Sequence, residues 1–583
     1  MNDVVHGSDL SQREKRLLFW ASFLSLAAAG AGFAFRIAKQ GAYGKEFGLT
    51  YQEVGNIMGA SFWPIAVTMI LGSLVVDKTG YKKPMYLAFL LQAGSGVLFF
   101  LADGYSSLYY ASVCAGLGHG IVEAVINPVC AAVYPKEKTT RLTVLHAAWP
   151  AGLAGCTLLI MGADASGATD WRLHGLWIVL PAIAYALMYL PCRLPVDERV
   201  QAGVPFKEML KQVGFLSATL ASMMLVYELG NALGFATETD WLRNSMIAGV
   251  VIGGAFGAYV RSLGRPLFFL MCLLMIPVAT AELSTDGWIQ KLVGPSVAAL
   301  DINASFAIVF SAGVMLVLRV FAGGIMKHVS PPALLSISGV LSAVGLYWLS
   351  ETTVGTTVFI AFLIYAIGQT YYWPCILGFT AERYPEGGAL TLNTVSAMGL
   401  LSLGVIGNPI LGVQFDKEIH AAMSAKDPAF TEVATAPKAF LGMPHESINP
   451  DVLIGPDDDK NENGVLDREE KTAGMLPEAM AKIEAAWSYM DGLSESEDEQ
   501  LRTLYGTEDE SAGRKVLVYA TRFPLLLVLA FGAIFLFFRS RGGYRPKHEP
   551  QAAKRAAALP FFRTADSTAV NGRLCSIAGR ISP

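Results

Sequence analysis

Two groups of residues have the types and spacing to do chemistry. One is the run Asp459-Lys-Asn-Glu-Asn-Gly-Val-Leu-Asp-Arg-Glu-Glu470. Asp459, Asn461 and Asn463 supply oxygens at loop positions 1, 3 and 5, the Val465 carbonyl supplies position 7 and Asp467 position 9. Glu470 closes position 12 with two oxygens, completing the ligand set of an EF-hand calcium loop. Gly464 permits the sharp turn at position 6, and Leu466 is an apolar anchor. The sequence holds no second loop of this kind, so Ca2+ is expected as a structural ion that keeps its surroundings folded, not as the signal of a paired sensor. The competing reading is an acidic linker that meets the pattern by chance. A helix is expected after the loop, from Pro477 to about Met490.

The other group lies in an apolar run. His119, Glu123 and Asn127 recur every four residues, which stacks them on one helical face. An imidazole, a carboxylate and an amide together suit a hydroxylated solute, and burial in an apolar setting favours the protonated form of a carboxyl group. Pro128 kinks the same helix and frees a carbonyl beside them. The alternative is a structural pairing of Glu123 with Arg36, which could instead snorkel to the outer interface. His146 and Trp149, three residues apart, are further candidates, as are Gln369, Tyr371, Tyr372, Trp373 and Asn393. Aromatic faces stack on a sugar ring while amides bond its hydroxyls; an interfacial aromatic belt is the alternative. Glu282, Thr285, Asp286 and Trp288 read as an outer vestibule or a solvated helix end, and Arg319 as a group that snorkels or braces an inner gate.

Composition says what must position these groups. Of 583 residues, 53% are hydrophobic and 16% charged, with a mean hydropathy of +0.44. A soluble domain carries about a quarter charged residues. The shortfall excludes a soluble enzyme, a nucleic-acid binder and a disordered scaffold, leaving an all-α membrane protein. Apolar runs of the roughly 20 residues needed to cross a bilayer fall near 16–35, 54–76, 84–102, 106–134, 142–162, 173–192, 213–236, 244–262, 266–284, 303–325, 333–350, 357–381, 392–412 and 516–538. That is about 14 transmembrane helices. With residues 1–15 cytoplasmic, Lys78, Lys82, Lys83, Lys136, Lys138, Arg141 and the linker 193–212 all fall on the cytoplasmic side, as does a basic, disordered tail at 539–583. Both termini are then cytoplasmic, and a bacterial inner (plasma) membrane is expected. Residues 416–515 hold 23 acidic against 10 basic side chains, net −13, while the rest sums to +9. The stretch 413–515 is therefore expected as an acidic extracytoplasmic insert. The seven cysteines are scattered without a C-x-x-C pair, so neither a disulfide frame nor a zinc site is implied. No Walker, H-E-x-x-H or G-x-S-x-G motif occurs, so neither ATP drive, nor an enzyme, nor an organic cofactor is expected.

The chain also repeats itself. Gly118-His119, Tyr134-Pro135, Leu142 and Ala147 reappear as Gly368-Gln369, Tyr384-Pro385, Leu392 and Ala397, each offset by 250. Two parallel six-helix repeats follow: an N-terminal bundle at 16–192, and a C-terminal one whose first five helices span 263–412 and whose last, 516–538, comes after the insert. Residues 213–262 add two further helices between them. Parallel halves with a site at their interface are a transporter architecture.

The loop Ser73-Leu-Val-Val-Asp-Lys-Thr-Gly-Tyr-Lys-Lys83 resembles the Gly-x-x-x-Asp-Arg-x-Gly-Arg-Arg/Lys loop of the major facilitator superfamily, with Asp77, Lys78, Gly80, Lys82 and Lys83 matching and Ser73 and Tyr81 departing. In that family the loop gates the cytoplasmic side. The carboxylate ahead of Asn127-Pro128 is similar to the fucose- and hexose-proton symporter branch. The resemblance implies a monomeric secondary transporter of a small polar solute, a sugar or related molecule, coupled to H+. Its two halves would rock about a midplane site while Glu123 cycles a proton. A non-transporting receptor that binds an external ligand through the calcium-loop insert is the alternative.

Chelating Ca2+ with EGTA is expected to speed tryptic cleavage within 413–515, and Glu470→Gln to give the same cleavage rate with Ca2+ present. Equal rates with and without the ion would remove the calcium site.

Overall fold

The computed structural model describes residues 5–547, apart from 48, 50, 234–239, 299–302, 304, 353–355, 442 and 449–476. The calcium loop at 459–470 lies outside the described residues. Eleven helical stretches among the described residues are long and apolar enough to cross a membrane. The remaining apolar runs are also helical, as Lys82–Phe100, Trp241–Val260 and Phe306–Val320.

Several of these helices are interrupted. Lys138–Leu145 and Ala148–Ala165 meet at a break that carries His146. Pro266–Ala279 widens into a π-helical turn at Thr280–Ser284 before Thr285–Ala298. A second π-helical turn, Leu403–Gly407, separates Gly388–Ser402 from Asn408–Lys426. Such turns redirect side chains inside a helix and concentrate at functional sites. The extra helix Phe206–Ala232 is broken at Gly214, whose positive φ of 59° a side chain would resist. There the backbone crosses Gly264 so closely that a Cβ on Gly214 would stand 2.0 Å from the Gly264 nitrogen.

At the end of the bundle bearing the N-terminus, N-terminal and C-terminal helices are bonded together. Thr139 donates to Glu382 Oε1 at 2.5 Å, and Lys138, 1% exposed, donates to Glu198 Oε2 at 2.6 Å and to the Ala381 carbonyl at 3.3 Å. Asp197 accepts from the Ala389 amide at 3.0 Å and from Tyr81 at 3.2 Å. Burial pushes the Asp197 carboxyl above its ordinary range, against the pull of these donors and of Arg199.

Among the described residues the membrane body is all-helical, as expected. Within the stretch 413–515, Thr435–Phe440 and Met443–Ile448 form an antiparallel hairpin. Phe430, Ile448, Trp487 and Met490 of the same stretch are buried in one cluster with Leu411 and Phe415. Helix Asn408–Lys426 runs beside Glu495–Ala520, tied by the Lys426–Glu508 and Lys515–Glu418 ion pairs. The helix Pro477–Asp491 sits where one is expected. The tail is ordered at its start, because the Lys547 amide donates to the Glu382 carbonyl and Tyr544 to its carboxylate.

The first helix packs against Ala148–Ala165 through glycine, and a Cβ on Gly152 would stand 2.0 Å from the Ala27 carbonyl oxygen. Gly152→Leu is expected to cost about 1–3 kcal/mol or more through overpacking, read as a lowered unfolding midpoint. Gly155→Leu, where nothing lies within 4 Å, should leave that midpoint near wild type.

Candidate substrate site

A cavity of about 1140 Å³, counted to its mouth, lies between the N-terminal and C-terminal helices. Its N-terminal wall carries Arg36, His119, Glu123, His146 and Trp149, and its C-terminal wall Glu282, Asp286, Arg319 and Trp373. Helix Tyr105–Val133 presents His119, Glu123 and Asn127 on one face, as their spacing dictates.

These groups form one bonded chain. Asn127 donates to Glu123 Oε2 at 2.6 Å, and His146 Nε2 donates to Asn127 Oδ1 at 2.9 Å. His119 Nε2 stands 3.8 Å from Glu123 Oε1, and its ring stacks on Trp149 at 5.0 Å and 18°. Glu123 is 6% exposed and has no arginine or lysine bonded to it among the described residues. It is a carboxylate held by one amide, with the His119 ring 3.8 Å away, at the edge of a cavity.

The C-terminal wall is organised differently. Arg319 donates to Glu282 Oε1 at 2.7 Å, to the Thr370 carbonyl at 2.7 Å and to the His146 carbonyl at 3.1 Å. One guanidinium thus compensates a carboxylate and joins the C-terminal helices to the break beside His146. Glu282 Oε2 also accepts from the Trp373 amide at 3.2 Å. Asp286 Oδ1 accepts from Gln369 at 3.0 Å, and Gln369 also donates to Ser311 at 2.9 Å.

The structure moves several residues from where the sequence suggested. Arg36 neither pairs with Glu123 nor snorkels: it is 4% exposed on the cavity wall, its Nε without a hydrogen-bond partner, its guanidinium 5.7 Å from the Phe33 ring. Glu282 is no solvated helix end and Arg319 does not snorkel, because the turn at Thr280–Ser284 aims the carboxylate inward to the buried guanidinium. Tyr372 does not line the cavity: its hydroxyl donates to the Ser338 carbonyl at 3.3 Å. Consecutive helical residues point about 100° apart, so only Trp373 of that pair faces inward. Gln369 stands behind Asp286 rather than on the surface. Asn393 belongs to the bonded end, where it donates to Ser73 at 2.8 Å and to the Ala124 carbonyl at 3.2 Å.

In the gating loop, Asp77 and Lys78 end helix Phe62–Thr79, and Gly80 caps it at φ 69°. Lys82 donates to the Leu190 and Cys192 carbonyls at 2.8 and 3.3 Å, and Lys83 is exposed. Asp286 and Arg319 were legible as membrane charges but not as cavity residues, since their partners lie on other helices.

Removing one member of a buried ion pair leaves the other uncompensated, at a cost of about 3–5 kcal/mol. Arg319→Gln is expected to lower the unfolding free energy by that order, and Glu282→Gln/Arg319→Gln to recover a large part of it. A double variant no more stable than the single one would show that the pair is not the unit.

No curated protein matches the chain by sequence. Among solved structures, the chain is similar to the proton:xylose symporter XylE bound to 6-bromo-6-deoxy-D-glucose, with TM-score 0.51 and 13% identity, covering 72% of this chain and 91% of that one. The human organic anion transporter MFSD10 (TETRAN) matches with TM-score 0.49 and 12% identity over 68% of this chain and 93% of its own. The E. coli fucose:proton symporter FucP matches with TM-score 0.47 and 13% identity over 69% and 91%. At 13% identity, what the chain shares with the first of these is the fold alone. The Major Facilitator Superfamily profile matches residues 18–409, well over half of the chain, and this integral membrane protein of apolar helices around a central cavity therefore belongs to the major facilitator superfamily of transporters.

Proposed function

We propose that the protein is a secondary transporter of a small, hydroxyl-rich solute such as a sugar, coupled to protons through Glu123. The observation that carries this is the position of Glu123: buried on the cavity wall, hydrogen-bonded to Asn127, near His119, and without a permanent cationic partner among the described residues. A carboxylate so placed can exchange a proton with the cavity, whereas Glu282, bound to Arg319 at 2.7 Å, is already compensated. Trp149, stacked on His119, and Trp373 offer rings on opposite walls for a sugar face. A receptor without transport has no feature of the cavity in its favour.

The wider architecture belongs to the same proposal. Fourteen crossings are supported by helices in every apolar run. The duplication is supported by cavity residues that fall in pairs 250 apart: Phe33 with Leu283, Arg36 with Asp286, Ser61 with Ser311, Glu123 with Trp373. It is supported further by Tyr134 and Tyr384, which end their helices at nearly the same φ and ψ, −123° and 60° against −126° and 51°. The bonds that join the two sets of helices at the N-terminal end favour a state closed toward the cytoplasm. The insert would then lie outside the cell, with Asp459, Asn461, Asn463, Val465, Asp467 and Glu470 holding a structural Ca2+. Helix Pro477–Asp491, just beyond Glu470, is the element that ion would anchor.

The test is counterflow of labelled sugars in proteoliposomes. Wild type is expected to accumulate solute when the proton gradient points inward, and Glu123→Gln to exchange it without gradient-driven accumulation or pH dependence. If Glu123→Gln kept the pH dependence, the proton would travel by another group. If no sugar exchanged in wild type, the solute class would be wrong.

A further inference from the structure

A second cavity, of about 1100 Å³ counted to its mouth, opens at the N-terminal end of the bundle, away from the central site. Among the described residues, four arginines line it, Arg265, Arg383, Arg541 and Arg545, together with Lys547 and one carboxylate, Glu386. The cations come from three parts of the chain, the start of Pro266–Ala279, the last turn of Tyr372–Arg383 and the residues after Arg522–Arg539, and the extra helix adds Gln212. None of the four arginines pairs with a carboxylate among the described residues. Arg265 donates from Nε to the neutral Gln212 side chain at 3.0 Å. Arg383 lies over the Phe538 ring at 5.2 Å with its Nε buried and unpartnered, and Arg541 lies over Phe537 at 4.3 Å.

We propose that this cavity binds a phosphate-bearing anion. Converging cations with so little acidic compensation repel one another, and arginine forks match phosphate oxygens two at a time. The site stands where the last apolar helix ends, beside Phe537 and Phe538, and basic pockets at the cytoplasmic ends of membrane helices recognise anionic lipids. The phosphodiester of such a lipid and a free phosphate share this chemistry.

The position gives the ligand a consequence. Tyr544 donates to Glu382 Oε2 at 2.6 Å and the Lys547 amide to the Glu382 carbonyl at 2.9 Å, while Glu382 Oε1 takes the Thr139 hydroxyl from the N-terminal helices. An anion that fixes Arg541 to Lys547 therefore also holds the Thr139–Glu382 contact, and so favours the state in which this end is closed.

The full chain in phosphatidylcholine nanodiscs is the reference for the test. Phosphatidylglycerol is expected to raise the unfolding midpoint by about 3 °C, and Arg541→Gln/Arg545→Gln, at two exposed positions, to lose more than half of that rise. Inorganic phosphate, compared with sodium chloride at equal ionic strength, separates the sources: a rise with the lipid alone assigns the headgroup, and a rise with inorganic phosphate assigns the free anion. No rise with either, or a rise that survives the double substitution, overturns the proposal.

Discussion

Arg319 and Glu282 stand 2.7 Å apart with each side chain 3% exposed, and much of the molecule's interior is arranged around that bond. A charge in the bilayer core costs several kcal/mol or more unless a partner or a wet cavity receives it. The pair meets that requirement twice over. The guanidinium also donates to the Thr370 and His146 carbonyls, which the breaks in their helices leave free to accept. The helical irregularities and the membrane charges are thus one feature: each break supplies the backbone groups, or the change of direction, that a buried ion needs.

The same constraint divides the charges of the cavity into two kinds. On the C-terminal side Glu282 is matched by Arg319, while Asp286 is held by the neutral groups of Gln369 and Ser311. On the N-terminal side Glu123 is held by an amide and a histidine, and Arg36 keeps an unpartnered Nε. Matched charges resist change, because separating them exposes both to low dielectric. Groups held by neutral partners can exchange protons or solute contacts at smaller cost. Rigidity therefore concentrates at the Glu282–Arg319 pair, and Glu123 and Asp286, on opposite walls, are the carboxylates held by neutral partners, while the bonds of Thr139, Lys138 and Asp197 join the two sets of helices at the far end.

The membrane character, the helices in each apolar run and the face shared by His119, Glu123 and Asn127 were all readable in the sequence, because hydrophobicity and helical spacing are local properties. His146 and Trp149 were readable for the same reason: they border one helix break, and the structure brings both to that face. The helix at Pro477–Asp491 was equally plain. The small apolar core of the insert was not, since Phe430, Trp487 and Met490 are too far apart in the chain to form a periodic signal.

Which membrane charges meet was decided by tertiary structure alone. Glu282 and Arg319 are 37 residues apart on different helices, and nothing in their local sequence chooses between a partner, a lipid headgroup and water. Asn393 resembled a cavity amide and became an interface bond to Ser73, 320 residues away; Tyr372 resembled a stacking ring and turned to the Ser338 carbonyl. By itself the sequence determined that a few ionisable groups had to be accommodated in oil. Only the packed bundle decided how, because the energy of a buried polar group depends on what stands within a few ångströms of it, and those neighbours come from distant parts of the chain.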